Sequence, residues 1–366
     1  MKEETLKYLI ALQSVSLVGP KLAKNLIAYC GSPEAVFKEK KPHLRKIPGI
    51  GRKTSENIVC FKNFSKAEKE VEFILIHKIK PLFYLEDEYP QRLRDLDDAP
   101  VLLYFKGETD LNRPKVLAFV GTRDATSYGK KTCQRFIEEL MKYNVTVISG
   151  LAFGIDYMAH KTAFETGLPT VAVLGHGLDT LYPSQHRSLA VKMLENGGLL
   201  TEYPSGTIPE KENFPSRNRI VAGMVDGVVV VESGKKGGAM ITAEIAFSYN
   251  REIFAVPGRA IDEMSAGCNN LIRYNKAYLA ENVNDIAYHL GWDIKIEHKT
   301  KNTINFAALS GIEKKIIEVI QKEEKINIDK MLFMINIDPP QLSMMLLEME
   351  FNGFIKTLPG NFYQMA

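Results

Sequence analysis

Two apolar segments of this sequence each end in a glycine-containing turn that leads directly into a helix pattern. The first turn is Phe119-Val-Gly-Thr-Arg-Asp124, and the second is Ser149-Gly-Leu-Ala-Phe-Gly-Ile-Asp156. In an α/β sheet such turns place free backbone N–H groups at a helix N-terminus, where they bind phosphate. The first turn carries Arg123, and neither turn carries an obvious nucleophile. The two turns therefore predict that the chain binds a phosphate-bearing ligand without reacting with it.

Strand and helix patterns alternate through residues 114–290. We predict strands at Val116–Val120, Val145–Ser149, Thr170–Leu174, Gly198–Glu202, Gly227–Glu232 and Glu252–Val256. Residues 228–231 are valine throughout, as expected of a strand that is buried on both faces. Such alternation predicts an α/β, Rossmann-like fold, in which a doubly wound, mostly parallel sheet has right-handed crossovers. No acidic residue ends the second strand, where a dinucleotide-binding protein holds the ribose, so we do not predict a dehydrogenase.

The chain of 366 residues is too long for one ordinary domain. Residues 1–75 have short helix patterns broken by glycine and proline, which predict a helical domain of the helix-hairpin-helix or SAM-like kind. Residues 76–290 are predicted to form the Rossmann-like domain with an N-terminal extension. The polar residues 291–304 are predicted to be a linker, and residues 305–366 a winged-helix-like domain.

The cysteines and the charge narrow the class of protein. Cys30, Cys60, Cys133 and Cys268 form no C-x-x-C pair, which argues against a zinc site or a disulfide framework and favours the cytoplasm. No segment approaches 18 consecutive apolar residues, so we predict no membrane span, and the N-terminus has no cleavage-like site. The net charge of +3 is too small to indicate a nucleic-acid partner. Residues 1–75, however, carry fourteen lysines and arginines against eight acidic residues.

Residues 44–59 resemble a helix-hairpin-helix motif, with Gly49 and Gly51 in the tight hairpin. The N–H groups that open the next helix, together with Arg52 and Lys53, are candidate contacts to the backbone of duplex DNA. A looser copy of the motif lies at residues 15–26 and contains Lys21 and Lys24. The alternative interpretation is a helical protein-binding module that keeps the hairpin for packing.

Two further segments add positive charge, an aromatic ring and backbone donors. Residues 213–220 place Phe214, Arg217 and Arg219 ahead of a predicted helix. There the arginines can pair with phosphates and the ring can stack on a base, although a core or loop anchor is the alternative for Phe214. Residues 234–244 form another glycine-rich loop that opens a helix after a strand. Because the carboxyl ends of parallel strands share one edge of a sheet, these loops predict a groove for several phosphates.

Catalytic residues are less evident. His160 follows Asp156 by four residues, so the two share a helix face, and His176 follows a strand. No Ser-His-Asp set and no metal-ligand spacing is present. We therefore predict no catalytic residue, no metal and no cofactor. A lone histidine on such a helix is more often structural, and Asp156 is expected to order its own turn.

Six strings in the region of residues 80–280 resemble the DNA-processing protein A (DprA/Smf) family, in order and in register. They begin at Phe119, Ser149, Val173, Phe214, Gly238 and Phe254. The resemblance implies a cytoplasmic, non-enzymatic protein that binds single-stranded DNA in natural transformation, protects the incoming strand and helps to load a RecA-type recombinase. It also implies a homodimer formed through the Rossmann-like domain. The DNA-binding residues that it implies are Gly121, Thr122, Arg123, Ser149, Gly150, Lys161, Phe214, Arg217, Asn218, Arg219, Lys236, Gly237 and Gly238.

Two rival functions stay open from the sequence. Residues 237–244 echo a loop of nucleotide phosphoribohydrolases, in which Glu244 would help to cleave the base–ribose bond of a nucleoside monophosphate. A second glycine-threonine pair of that loop is missing here. The other rival is a protein scaffold that binds DNA only through its N-terminal hairpins. In the last domain, the presumed recognition helix at residues 339–351 contains no lysine or arginine, so we expect that domain to contact protein rather than duplex DNA.

Overall fold

A computed structural model of the chain describes residues 1–292, 310–323, 325–335, 337–352, 354–358 and 361–365. The chain divides into two compact units, one within residues 1–293 and the other within residues 294–366. Apart from Gly291 and Trp292, the predicted linker at residues 291–304 lies outside the described residues. Among the described residues, no helix combines the length and the apolar character needed to cross a lipid bilayer.

A nine-stranded sheet forms the centre of the first unit. Its strands are β1 (Lys80–Phe83), β2 (Leu102–Gly107), β3 (Val116–Gly121), β4 (Thr146–Ser149), β5 (Thr170–Leu174), β6 (Gly198–Thr201), β7 (Gly227–Glu232), β8 (Glu252–Ala255) and β9 (Tyr278–Leu279). The spatial order is β1-β2-β6-β5-β4-β3-β7-β8-β9. Strands β3 to β9 pair in parallel, and β1 and β2 extend one edge antiparallel. The predicted Rossmann-like sheet is therefore confirmed, and its six predicted strands match β3 to β8 to within one residue at each end.

Fourteen helices accompany this sheet within residues 1–292. Those before β1 are α1 (Glu3–Gln13), α2 (Pro20–Cys30), α3 (Pro33–Lys38), α4 (Lys41–Leu44), α5 (Arg52–Val59) and α6 (Phe64–Ile76). The others are α7 (Gln91–Arg94), α8 (Ser127–Leu140), α9 (Ile155–Glu165), α10 (Arg187–Met193), α11 (Asn213–Gly223), α12 (Gly238–Ser248), α13 (Ala266–Arg273) and α14 (Val283–His289). Helices cover both faces of β7, because Val228 and Val230 join one core cluster and Val229 and Val231 join another. Burial on both faces explains the run of valines.

The N-terminal helices dock on the antiparallel edge of the sheet. Their apolar residues form one core cluster with side chains of β2. The Lys21 ammonium lies 2.6 Å from the Asp97 carboxylate, and Lys24 donates to backbone carbonyls in the same turn. The Glu70 carboxylate of α6 accepts the N–H of Ser205 at 3.0 Å. The lysines of the looser hairpin copy are therefore used in packing against the sheet domain.

The second unit contains three helices and a small sheet among its described residues. Its elements are α15 (Gly311–Glu323), β10 (Ile326–Asn327), α16 (Ile328–Ile335), α17 (Pro339–Phe351), β11 (Ile355–Leu358) and β12 (Phe362–Met365), and the sheet order is β10-β12-β11. The presumed recognition helix at residues 339–351 coincides with α17, and the winged-helix assignment stays a prediction. Asp338 occupies the N-cap position of α17, but its side chain makes no capping hydrogen bond. Besides its buried face, α17 exposes the apolar side chains of Met344, Leu347 and Phe351.

Candidate functional site

A cleft of about 380 Å³ opens at the carboxyl ends of β4, β3 and β7, which are neighbours in the sheet. The chain runs outward from β3 through β4 to β6 on one side and from β7 through β9 on the other. The cleft therefore lies where the topology switches direction, the usual ligand site of an open α/β sheet. Ten of the thirteen predicted DNA-binding residues line it: Gly121, Thr122, Arg123, Gly150, Phe214, Arg217, Asn218, Lys236, Gly237 and Gly238.

The turn after β3 is held in place by Glu232, a residue to which the sequence analysis gave no role. The Thr122 N–H donates to the Glu232 carbonyl at 2.7 Å. The Glu232 carboxylate accepts the Thr126 N–H at 2.9 Å and the Thr126 hydroxyl at 2.6 Å. That hydroxyl in turn accepts the Gly129 N–H and so caps α8. These bonds fix the backbone on either side of Arg123, whose side chain extends into solvent.

The turn after β4 leaves room for the Arg217 side chain, but two of its backbone N–H groups are not free to bind a ligand. The Asp156 carboxylate accepts the N–H groups of Gly150 at 3.2 Å and Ala152 at 3.3 Å, so these two donors are already bonded. The expectation that Asp156 orders its turn is confirmed, and the expectation of free N–H groups at this turn is wrong for Gly150. A Cβ at Gly150 would overlap the Arg217 guanidinium. Glycine is required there because the arginine packs directly against the backbone.

The third strand end supplies the most open anion-binding geometry. Helix α12 begins at Gly238, and its N-cap Gly237 has φ +145° and no side chain to cap the helix. A Cβ at either glycine would meet nothing within 4 Å, so both face open space at the cleft. The N–H groups of a first helical turn lack intrahelical acceptors and carry the positive end of the helix dipole. Lys236 adds a full charge at the same place.

The segment that carries Phe214 and Arg217 forms the first turns of α11, not a loop ahead of a helix as predicted. Phe214, Arg217, Asn218 and Val221 follow the spacing of one helical face, and all four line the cleft. The two arginines differ by two residues, which places Arg219 on the opposite side of the helix.

Arg217 lies in the floor of the cleft with only 4% of its surface exposed. Its guanidinium donates to the Val173 carbonyl, and its Nε has no hydrogen-bond partner among the residues that the structure describes. Burial lowers the pKa of Arg217, and the Asp156 charge opposes that shift. Burial likewise raises the pKa of Asp156, and Arg217 opposes that rise. The two buried charges therefore compensate each other beneath the cleft.

Three predicted contact residues do not line the cleft. Arg219 donates to the Glu202 carboxylate and to the Asp98 carbonyl, so its charge is used within the protein. Ser149 is buried, and its hydroxyl donates to the carbonyl of residue 119 at 2.6 Å. Lys161, on α9, lies 3.8 Å from the carboxylate of residue 165.

Two cations lie at the mouth of the cleft. Arg123 and Lys236 are exposed, and neither belongs to an ion pair in the described part of the chain. The Arg123 guanidinium lies 5.8 Å from the centre of the Phe214 ring. The mouth therefore combines two unpaired cations, one half-buried aromatic ring and an uncapped helix N-terminus.

His160 and Glu244, the residues considered for catalysis, make contacts within the fold and do not line the cleft. His160 is fully buried, its Nδ1 lies 2.7 Å from the Thr170 hydroxyl, and burial lowers its pKa to about 3. Glu244 lies outside the cleft and forms an ion pair with Lys276 at 2.7 Å. It follows Thr242 by two residues, and Thr242 lines the cleft, so Glu244 faces the other way. No group of three or more His, Cys, Asp or Glu side chains in the described segments could hold a metal ion.

The predicted duplex contacts lie at a hairpin away from the cleft. Gly49 has φ +84°, a conformation that favours glycine, and α5 begins at Arg52 directly after Gly51. Arg52 lies 3.2 Å from the Glu56 carboxylate, which offsets its charge, whereas Lys53 is exposed. This hairpin therefore offers weaker attraction to phosphate than its sequence predicts.

Comparison with known proteins places this architecture in a family. A family model described as DNA recombination-mediator protein A matches residues 80–291, and a SAM-like helix-hairpin-helix tandem matches residues 9–60. The chain is 36% identical to Protein Smf of Synechocystis sp. over 78% of this chain and 72% of that protein. It is 41% identical to DNA processing protein DprA of Streptococcus pneumoniae over 52% of this chain and 67% of that protein.

Solved structures agree. The crystal structure of Streptococcus pneumoniae DprA matches with a TM-score of 0.68 and 32% identity, covering 77% of this chain and 97% of that one. A Helicobacter pylori DprA structure, described in terms of its single-stranded DNA binding mode, matches with a TM-score of 0.54 and 29% identity, covering 59% and 97%. Sequence, fold and cleft position thus agree, and the chain belongs to the DNA recombination-mediator protein A (DprA/Smf) family.

Proposed function

We propose that this protein binds single-stranded DNA without sequence preference, in the cleft at the carboxyl ends of β4, β3 and β7. The observation that carries the proposal is the mouth of the cleft, where the Arg123 guanidinium lies beside the half-buried Phe214 ring, and Lys236 lies next to the uncapped start of α12. Neither cation forms an ion pair with another residue that the structure describes. Cations with an aromatic platform are the usual means of holding a single strand independently of its bases. The Helicobacter pylori relative, described as binding single-stranded DNA, supports the same assignment.

Each part of the cleft has a distinct task in this proposal. The first-turn N–H groups of α12 and the Lys236 ammonium hold one phosphate. Arg123 holds a neighbouring phosphate, while Phe214 stacks on a base. Arg217 and Asp156 lie beneath these groups and shape the floor. The chain's own residues thus bind and orient a strand, and no residue of the cleft is assigned a reaction.

The family resemblance also suggests a cellular role. We propose that the protein acts in recombination during natural transformation, where it protects incoming strands and helps to load a RecA-type recombinase. A homodimer formed through the sheet domain is part of the same proposal. The rival phosphoribohydrolase function is not favoured, because its required Glu244 faces away from the cleft.

Single-strand preference is the direct test. Fluorescence anisotropy of the full chain with labelled oligo-dT and with a duplex of equal length, across a salt series, should show much tighter single-strand binding. We expect a log–log salt slope of about −0.7 for each phosphate contact. Equal affinity for the duplex and the single strand would contradict the proposal.

The hairpin provides the matched control for this measurement. Lys53→Ala removes the exposed cation after Gly51 and should leave the oligo-dT affinity within about twofold. If Lys53→Ala abolished oligo-dT binding, the scaffold interpretation with hairpin binding would hold instead. The full chain is used because the N-terminal helices share a core with β2, and a fragment of residues 110–290 would lack that core.

A further inference from the structure

An exposed tyrosine lies next to the Phe214 ring, outside the lining of the cleft. The Tyr182 side chain is 46% exposed, and its ring centre lies 5.9 Å from that of Phe214 with an angle of 35° between the planes. Phe214 therefore has the Arg123 guanidinium as one neighbour and Tyr182 as another. The Arg123 guanidinium and the two aromatic rings therefore form one continuous surface. It extends from the turn after β3 to a point outside the cleft.

The backbone of Tyr182 is fixed by a buried histidine that the cleft does not use. The Tyr182 N–H donates to His176 Nε2 at 3.2 Å, and the His176 Nδ1–H donates to the Gly177 carbonyl at 2.9 Å. His176 is buried, and burial lowers its pKa; because Nδ1 faces a carbonyl and donates to it, Nε2 is the acceptor for the Tyr182 N–H. The Thr201 hydroxyl donates to the His176 carbonyl at 2.9 Å and ties the loop to β6.

The same loop is packed against Phe214 itself. A Cβ at Gly175 would lie 3.1 Å from Phe214 Cδ1, so the glycine backbone forms part of the support of that ring. Within residues 1–292, no hydrogen bond involves the Tyr182 hydroxyl. The loop thus holds a half-exposed aromatic ring beside Phe214 without engaging its polar end.

We propose that Tyr182 is a second base-stacking position for single-stranded DNA, so that a bound strand leaves the cleft over residues 175–183. This inference rests on the proposed function and names the path of the strand beyond the phosphate-binding turns. An aromatic face tolerates every base, so the position adds affinity without sequence preference. His176 is a positioning residue in this arrangement, because it acts through the backbone of Tyr182.

The experiment uses fluorescence anisotropy to measure the affinity of four full-length proteins for a 15-nucleotide oligo-dT. The proteins are the wild type, Tyr182→Ala, Tyr182→Phe and Tyr182→Leu. We expect Tyr182→Ala to weaken binding roughly 5- to 100-fold, the range of one lost base–aromatic stack. Its salt slope should be unchanged, because no cation is lost. Tyr182→Phe should bind within about twofold of the wild type, and Tyr182→Leu should resemble Tyr182→Ala, because leucine supplies bulk without an aromatic face. Tyr29→Ala, at an exposed tyrosine of α2, is the matched control and should behave as the wild type.

A second arm uses oligo-dT in which a single abasic site is moved along the strand. In the wild type, one abasic position should reduce affinity through Tyr182, and in Tyr182→Ala that position should have no further effect. The inference would be overturned if Tyr182→Ala bound oligo-dT as tightly as the wild type, or if Tyr182→Leu bound it as tightly as Tyr182→Phe. Either result would leave the cleft proposal intact. Absence of oligo-dT binding by the wild type would instead refute the proposed function itself.

Discussion

Replacing Arg123 and Lys236 together by alanine is expected to weaken oligo-dT binding at least about tenfold at physiological salt. Both cations are exposed and unpaired in the described part of the chain, so their charge is available to phosphates. The log–log salt slope should become shallower by about 1.4, since each lost single-strand phosphate contact removes about 0.7. Anisotropy titrations at four or five salt concentrations measure both quantities.

The control for this variant removes the same two residue types elsewhere in the domain. Lys192 and Arg273 lie in the last turns of α10 and α13 and are exposed. Crossover helices run back across the sheet, so these last turns lie toward the amino ends of the strands, away from the cleft. Lys192→Ala with Arg273→Ala should leave affinity and slope nearly unchanged. An equal loss in both double variants would mean that only net charge matters, which contradicts a defined cleft.

Replacing Arg217 by methionine is expected to lower the free energy of unfolding by roughly 3–5 kcal/mol, because it leaves a buried carboxylate without its compensating charge. Asp156 is the group left uncompensated, and Arg217 also donates to the Val173 carbonyl. Urea unfolding followed by circular dichroism measures the change. Arg273→Met, at an exposed position, should stay within about 0.5 kcal/mol of the wild type.

The double variant Arg217→Met with Asp156→Asn should regain part of the lost stability. Asparagine keeps an oxygen that can accept the N–H groups of Gly150 and Ala152 but carries no charge. If the double variant lost more free energy of unfolding than the two single variants lose in sum, the two charges would not compensate each other.

The sheet was predictable because burial leaves a direct mark on sequence. The valines of β7 are buried on both faces of the sheet, and an uninterrupted run of apolar residues predicts such burial. The position of the cleft was also predictable, because parallel strands end at one edge. The edge strands β1 and β2 lie in the predicted N-terminal extension, but nothing local shows that they join the same sheet, where β2 pairs antiparallel with β6 and β1 with β2.

The roles of the two arginines on α11 were not predictable in the same way. The segment was predicted to precede a helix, yet it forms the first turns of α11, where Pro215 is tolerated because a first helical turn needs no backbone N–H from it. Once the segment is helical, a spacing of two residues places Arg217 in the cleft floor and Arg219 beside the partly buried Glu202.

Long-range partners explain what else the sequence did not show. Glu232 fixes the turn before α8 across about a hundred residues of chain, and no local pattern marks it. The helix N-terminus at Gly238 was visible from its glycines, but the loss of the Gly150 donor to Asp156 was not. The homodimer, the recombinase contact and the cytoplasmic location stay predictions.

Hydrogen exchange of backbone amides, with and without oligo-dT, tests most directly whether the DNA lies in the cleft at the carboxyl ends of β3 and β7. The account predicts slower exchange in peptides that cover residues 119–126 and 233–242 when oligo-dT is bound, with little change at residues 44–59. Protection confined to residues 44–59, with none at the carboxyl ends of β3 and β7, would contradict it.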